Sequence, residues 1–285
     1  MASELLKLYY RNFFPAEKLF QWLYITQYRE ISFCLENNMY VRNLMFAKAD
    51  EFINRIQEKV PQKIDVGAVY DVIPIKNISK RAIEKELVFD IDLTDYDRTC
   101  CKDKIICDRC FPLIKLSVDL LNYILKDELG FESLSFVFSG RRGLHCWVND
   151  KYTKKFNEKI RGDIVRYFDI VTEKKKYPEE YTKILMKYGS YMIDQGFATD
   201  LDNISIDILY DKMFLKLDRE VAKSFNHLIK MPFSVHPDSQ KISLPIDPDK
   251  LEKVSLNNMI GLKDVLNDPN LLLPYIRILD TWILK

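Results

Sequence analysis

The stretch ELVFDIDLTDYD, residues 86–97, alternates with period two through its centre. Leu87, Phe89, Ile91 and Leu93 fall on one face, and Val88, Asp90 and Asp92 on the other. That pattern predicts a strand with one wholly apolar face and two carboxylates side by side on the opposite one. Asp is a poor strand former, so two of them in a strong strand call for a reason. Neighbouring carboxylates repel unless a cation lies between them, and a hard, oxygen-seeking ion such as Mg²⁺ meets that need. The plain alternative is a solvated edge strand carrying two exposed acids.

Directly after this strand comes Cys100-Cys101-x5-Cys107-x2-Cys110, four of the six cysteines within 11 residues. In an intracellular chain such clustering points to metal rather than disulfides. Four thiolates suit tetrahedral Zn²⁺, and a site filled by sulfur at every position is structural, not catalytic. Reduced structural cysteines are the alternative.

Further on, LSFVF at 134–138 reads as a buried strand that runs into SGRRGLHCWV at 139–148. Two glycines flank two arginines, and a second strand leaves carrying His145. Glycine lets the backbone approach an anion closely, and arginine grips phosphate oxygens in pairs. Ser139, Arg141, Arg142 and His145 can converge on one polyphosphate; a tight hairpin tip with solvated arginines is the alternative.

The remaining chain supplies a frame. At 285 residues, 47% hydrophobic, it can bury a sizeable core as one large domain or two moderate ones. No apolar run approaches the ~18 residues of a membrane span, and the charged, amphipathic N-terminus lacks a signal-peptide layout. An intracellular protein is the expectation. A net charge of +1 excludes a strongly basic nucleic-acid binder, so contact with nucleic acid would use a local patch. Helical periodicity covers 3–24, 49–60 (stopped by Pro61) and 111–125, with Gly130 placed as a C-terminal cap. A hairpin is expected from 27–33 and 39–42 across residues 36–38. A strand is expected over 64–72, with a turn at Gly67–Tyr70.

Residues 150–205 are lysine-dense and helical, with Pro178 separating two helices, and read as a helical insertion. Asp218 reads as the N-cap of a helix over 219–229, taken to carry Asn226, His227 and Lys230. A strand follows at 241–246, and an amphipathic helix at 275–284 ends the chain. The three histidines, His145, His227 and His236, all lie in polar clusters, which shifts them from core packing toward a site.

At this point the chain resembles the small catalytic subunit of the archaeal and eukaryotic DNA primases, most nearly the eukaryotic form. The resemblance is carried by ELLKLYYRNFFP at 4–15, REISF at 29–33, KIDVGAVY at 63–70, ELVFDIDLTDYD at 86–97, RTCCKDKIICDRC at 98–110, SGRRGLHCWV at 139–148, NHLIKMPFSVHP at 226–237 and LLPYIRILD at 272–280. These segments span almost the whole chain in the family order. The resemblance implies a mixed α+β (α/β) primase catalytic core formed by residues 1–149, including a zinc knuckle at 100–110, and 206–285, with a helical subdomain at 150–205.

It also implies a DNA-directed RNA polymerase that starts RNA primers de novo on single-stranded DNA from ribonucleoside triphosphates. Asp90, Asp92 and Asp218 would hold two Mg²⁺ or Mn²⁺ ions for in-line phosphoryl transfer, with Glu30 as part of the active site. Arg42, Ser139, Arg141, Arg142, His145, Asn226, His227, Lys230 and His236 would bind the nucleotide. Cys100, Cys101, Cys107 and Cys110 would hold one structural Zn²⁺. The implied partners are a large primase subunit with an iron–sulfur cluster and the catalytic and accessory subunits of DNA polymerase alpha, in the nucleus.

Two departures stand out. Lys216-Leu217-Asp218 replaces the Arg-Leu-Asp of relatives, losing a bidentate fork, and the insertion is shorter than in the animal form. A repair primase-polymerase preferring deoxynucleotides, a non-catalytic zinc-stabilised scaffold and a metal-dependent sugar transferase are the competing readings. The last explains neither the Arg-Arg loop nor the histidines.

Overall fold

The computed structural model describes residues 2–102 and 104–284. In chain order it contains α1 (Ala2–Asn12), α2 (Ala16–Trp22), β1 (Arg29–Cys34), β2 (Tyr40–Leu44), α3 (Ala49–Lys59), β3 (Lys63–Tyr70), β4 (Ala82–Glu84) and β5 (Leu87–Asp92). There follow α4 (Pro112–Tyr123), β6 (Leu134–Phe138), β7 (Gly143–Val148), α5 (Glu158–Glu173), α6 (Glu179–Lys187), α7 (Ser190–Asp194), α8 (Ile206–Met213) and α9 (Arg219–Lys223). The last elements are β8 (Ile229–Lys230), β9 (Leu244–Ile246), α10 (Leu262–Asn267) and α11 (Leu273–Ile283). This is the expected mixed α+β class. Among the described residues no helix is long and apolar enough to cross a membrane.

The chain folds into two compact units. The first comprises residues 1–86, 224–246 and 259–285. Its antiparallel sheet has the order β2-β1-β3-β4, with β8 pairing the other end of β3. The expected hairpin is β1–β2, with Phe33 opposite Val41. Ile31, Phe33, Ile64 and Val66 are buried, and Glu30, Ser32 and Asp65 give the sheet buried polar groups as well. Helices α1, α2, α3, α10 and α11 pack with one another in this unit; Trp22 of α2 meets Trp282 of α11 with ring centroids 5.0 Å apart.

Three sequence expectations need correction here. The helix expected over 3–24 is two helices, because Pro15 has no N–H to continue α1 and instead precedes the first turn of α2. The turn expected at Gly67–Tyr70 is continuous strand. The glycine serves close approach: a Cβ on Gly67 would lie 2.9 Å from Leu228 Cδ2 and 3.1 Å from Glu30 Cβ. The helix expected over 219–229 stops at Lys223, and Ile229–Lys230 forms β8 against Val66 and Asp65 of β3. A long-range strand pairing overrides the local helical pattern there.

One backbone position in this unit is strained. Val60 ends α3 with φ 45° and ψ 58°, the left-handed conformation, while its N–H bonds to Ile56 O. A β-branched residue is costly there, by about 1–2 kcal/mol. Val60→Asn relieves that cost with a residue that tolerates the conformation. The expected result is a gain of about 1 kcal/mol, read as a rise in Tm of roughly 2–4 °C.

The second unit comprises residues 87–223 and 247–258. Here β5 pairs antiparallel with β7, and β7 with β6. Leu87, Val88, Phe89 and Ile91 are buried while Asp90 and Asp92 remain half-exposed, so the period-two reading of β5 holds. Helix α4 packs on β6 and β7, then widens into a π-helical turn at Ile124–Glu128, and Gly130 follows at φ +72°. Residues 150–205 carry α5, α6 and α7, with Pro178 as the N-cap of α6. Helix α9 packs against both α5 and β5.

Candidate active site and cysteine cluster

The β5–β7 register sets the geometry of the second unit's site. Asp90 stands opposite His145, and Asp92 opposite Gly143. His145 Nε2 lies 3.6 Å from Asp90 Oδ1, with the imidazole buried. Arg142, at the tip between β6 and β7, donates from Nε to Asp92 Oδ1 at 2.7 Å. Thr94 closes an Asx turn on the same oxygen, donating its N–H at 2.9 Å and its hydroxyl at 2.8 Å. Burial opposes ionisation of Asp92, but these donors and the Arg142 charge outweigh it and hold the carboxyl below its ordinary value.

The third acid comes from a distant part of the sequence. Leu217 bridges to Ile91, and the Asp218 N–H donates to Asp90 O at 2.9 Å. This pins the 216–218 segment along β5. Asp218 Oδ1 accepts from the N–H groups of Glu220 and Val221 at 3.0 and 3.2 Å, so it also caps α9. The N-cap reading and the site reading are therefore compatible.

Among the described contacts, every hydrogen bond to Asp92 and Asp218 falls on Oδ1. One oxygen of each remains for a hard cation, and three carboxylates carried on and beside β5 are the donor chemistry that Mg²⁺ or Mn²⁺ takes. Their oxygens do not form a ready-made cage. Among the described residues, the four cysteines are the one group of three or more such side chains gathered within metal reach.

The glycine after the two arginines is required by this sheet. A Cβ on Gly143 would lie 2.6 Å from Ile91 O, closer than any neighbour tolerates. Ser139 Oγ accepts from the Gly143 N–H at 2.9 Å, and the Ser139 N–H returns to Gly143 O at 2.9 Å. Ser139 thus closes the hairpin, and Gly140 turns it at φ +86°. Arg141 lies half-buried on the same tip. Gly143→Ala separates β5 from β7 at Asp92; the expected loss is about 2 kcal/mol or more of stability, measured by urea unfolding, together with loss of activity.

Glu30, Arg42, Asn226, His227, Lys230 and His236 belong to the first unit. Glu30, 1% exposed, accepts from Arg42 Nε at 2.8 Å, from Arg42 Nη2 at 3.3 Å and from Tyr70 OH at 3.1 Å. Burial and the Glu30 charge push the Tyr70 phenol up to about 12. Lys230 stands opposite Asp65 on the β3–β8 pair. Asn226 and His227 are exposed on the segment before β8, and His236 Nδ1 accepts from the Asp238 N–H at 3.2 Å.

The cysteine cluster is assembled within the second unit. One ligand atom from each of Cys100, Cys101, Cys107 and Cys110 lies within 4.8 Å of all the others. A zinc–sulfur distance of about 2.3 Å in a tetrahedron places sulfurs roughly 3.8 Å apart, so the four fit a zinc ion after a small contraction. The Cys107 N–H reaches Cys110 Sγ at 3.2 Å. Burial opposes ionisation of Cys107, yet donation from the Cys101 and Cys100 thiols and from the Arg109 and Cys110 N–H groups pulls its thiol down to about 7. Burial and the neighbouring thiols push Cys101 up.

Several neighbours escaped the sequence reading. Asp95, inside the quoted strand motif, is a fourth acid: burial first, then the Asp92 and Asp218 charges, raise its carboxyl above the ordinary value. Lys216 Nζ donates to Asp95 O at 3.1 Å and sits 5.4 Å from the Tyr96 ring centroid. Thr94 was legible in principle as the D-x-T of an Asx turn. A cavity of about 520 Å³ is lined by Thr94, Tyr96, Arg98, Cys101, Lys104 and Arg142, touching both the Asp92 donors and the cysteine cluster. Another, of about 480 Å³ in the first unit, is lined by Leu6, Leu35, Met39, Val60 and Val235 among others, and by none of the candidate site residues.

Comparison with known proteins shows the family of the chain. The family described as the DNA primase small subunit matches residues 89–248, more than half of the chain, running from the carboxylate strand past Asp218. The DNA primase small subunit of Schizosaccharomyces pombe is 28% identical over 93% of this chain and 78% of its own length. That of Caenorhabditis elegans is 29% identical over 94% of this chain and 88% of its own. The archaeal small subunit PriS of Pyrobaculum aerophilum is 25% identical over 87% of this chain and 80% of its own. The chain belongs to the DNA primase small subunit family.

Proposed function

We propose that this chain is a primase catalytic subunit, a DNA-directed RNA polymerase that joins ribonucleotides on single-stranded DNA without a pre-existing primer. The observation that carries the reading is the pairing of β5 with β7, which sets Asp90 beside His145 and Asp92 beside Arg142. Carboxylates for a cation on β5 thus stand beside basic groups for phosphate on β7 and the hairpin tip that precedes it.

Asp90, Asp92 and Asp218 are the residues that would hold two Mg²⁺ or Mn²⁺ ions. When bound, such ions lower the pKa of an attacking 3′-hydroxyl and stabilise the charge on the leaving pyrophosphate. Arg142 spends only Nε on Asp92; a guanidinium has five N–H donors, so it can orient Asp92 and grip a phosphate at once. Arg141 and His145 supply further donors, and Ser139 keeps the tip in the conformation that presents them. Glu30 orients Arg42 in the first unit, and Arg42, Asn226, His227, Lys230 and His236 are the residues of that unit that the family resemblance assigns to nucleotide binding. The four cysteines would hold one structural Zn²⁺, whose affinity falls with falling pH as protons compete for the thiolates.

The near-neutral charge fits a subunit that takes template affinity from partners. The small-subunit relatives imply a large subunit. We take it to carry an iron–sulfur cluster and to join the polymerase alpha subunits in the nucleus. The test is synthesis on unprimed poly(dT) with labelled ATP and Mg²⁺ or Mn²⁺. Alkali-labile oligonucleotides are expected. No product, with the large subunit also present, would turn the reading to a non-catalytic scaffold; efficient use of dATP in place of ATP would turn it to a repair-type primase-polymerase.

A further inference from the structure

The cysteine cluster is gripped from outside by one side chain of the helical stretch 150–205. Gln195, immediately after α7, is 3% exposed. Its Oε1 accepts from the Thr99 N–H at 2.7 Å and from the Cys100 N–H at 3.1 Å. Its Nε2 donates to Arg109 O at 3.3 Å, and its own carbonyl accepts from the Thr99 hydroxyl at 2.9 Å. A single amide therefore spans both arms of the cluster, the Cys100–Cys101 arm and the Cys107–Cys110 arm. Tyr191 of α7 adds a bond from its hydroxyl to Asp97 O at 2.6 Å, just ahead of the first arm.

We propose that Gln195 is the positioning residue of the metal site, and that holding the knuckle closed is the task of the α7 end of the helical stretch. The inference rests on the reading of the four cysteines as a zinc site. A buried amide shared between two loops does more than fill space, because an apolar side chain there would leave the Thr99 and Cys100 N–H groups and the Arg109 carbonyl without these partners. It is well explained by the need to hold the Cys100 and Arg109 backbones at a fixed separation. Groups that orient metal ligands from outside typically set affinity by 10–100-fold. The consequence reaches the carboxylate site: Cys101 lines the same cavity as Thr94 and Arg142, the two side chains that hold Asp92.

Gln195→Met keeps the volume and removes all four bonds of the side-chain amide, including the one its Oε1 accepts from the Thr99 hydroxyl at 3.2 Å. The test measures zinc dissociation by competition with a chromogenic chelator, and Tm with and without zinc, on the full chain. Weakening of zinc binding by about 10–100-fold is expected, with a larger loss in Tm for the zinc-loaded than for the metal-free protein, since the weakened zinc affinity adds to the loss of the amide bonds. The sulfur-to-metal absorption of the Co²⁺-substituted variant should shift, and the KM for ATP should rise at limiting zinc and recover in excess zinc.

Wild-type zinc affinity in Gln195→Met, or an equal loss of Tm with and without zinc, would overturn the proposal and leave Gln195 a packing residue. Should Gln195→Met fail to fold, Thr99→Val removes only the hydroxyl bonds from an exposed position; a several-fold weakening is expected, and unchanged affinity overturns the proposal. A wild-type chain without stoichiometric zinc, or one whose zinc survives Cys107→Ser, would instead overturn the zinc reading on which the inference stands.

Discussion

Asp92→Ala is expected to reduce nucleotide addition by about 10³-fold or more, the scale at which loss of a charged group stabilising the transition state is felt. Asp92 is bound on three sides, by Arg142, the Thr94 N–H and the Thr94 hydroxyl, all on one oxygen. Removing the carboxylate takes away a cation ligand and the anchor of Arg142 together, so cation and phosphate binding should fail at once. The fold should survive, because the side chain is half-exposed and β5 is held by Leu87, Val88, Phe89 and Ile91, all fully buried. Zinc content and far-UV circular dichroism should match wild type while extension of a primed template collapses. A variant within tenfold of wild type would remove Asp92 from the site.

Glu86→Gln should cost about 3–5 kcal/mol of stability, lowering Tm on the order of 10 °C. Glu86 and Arg29 form a two-pronged pair, Nη1 to Oε2 and Nη2 to Oε1, each at 2.8 Å. Their side chains are 5% and 1% exposed. Arg29 Nη1 also donates to Gly67 O at 3.1 Å, joining β1, β3 and the segment after β4 in the first unit. A neutral amide leaves the guanidinium buried without its counter-charge, which costs more than the pair itself contributes. The double variant Arg29→Met, Glu86→Leu should therefore recover much of the loss, and urea unfolding of the two variants beside wild type measures it. A single variant as stable as wild type would mean that water reaches Arg29.

The carboxylate strand, the β6–β7 hairpin and the cysteine cluster were legible in sequence because each is local. Period-two alternation marks β5, two glycines mark the hairpin tip, and four closely spaced cysteines mark the cluster. Even the role of Asp218 as a helix N-cap could be read, since capping is a matter of the next three residues. What the sequence did not disclose is long-range. Ile229–Lys230 pairs with β3 across more than 160 residues of chain, so local helical periodicity misled. Gly67 looked like a turn residue because its reason, Leu228 and the Glu30 side chain, lies elsewhere in the chain. Gln195 had no signal at all: a lone glutamine in a lysine-rich stretch acquires meaning only when Thr99, Cys100 and Arg109 fold against it.

The most direct measurement sets wild type beside Asp92→Ala on unprimed poly(dT), with labelled ATP and Mn²⁺, both proteins carrying equal zinc. Labelled oligoribonucleotides from wild type alone are the predicted result and would tie primer synthesis to the β5 carboxylates. Equal product from both proteins would contradict that assignment.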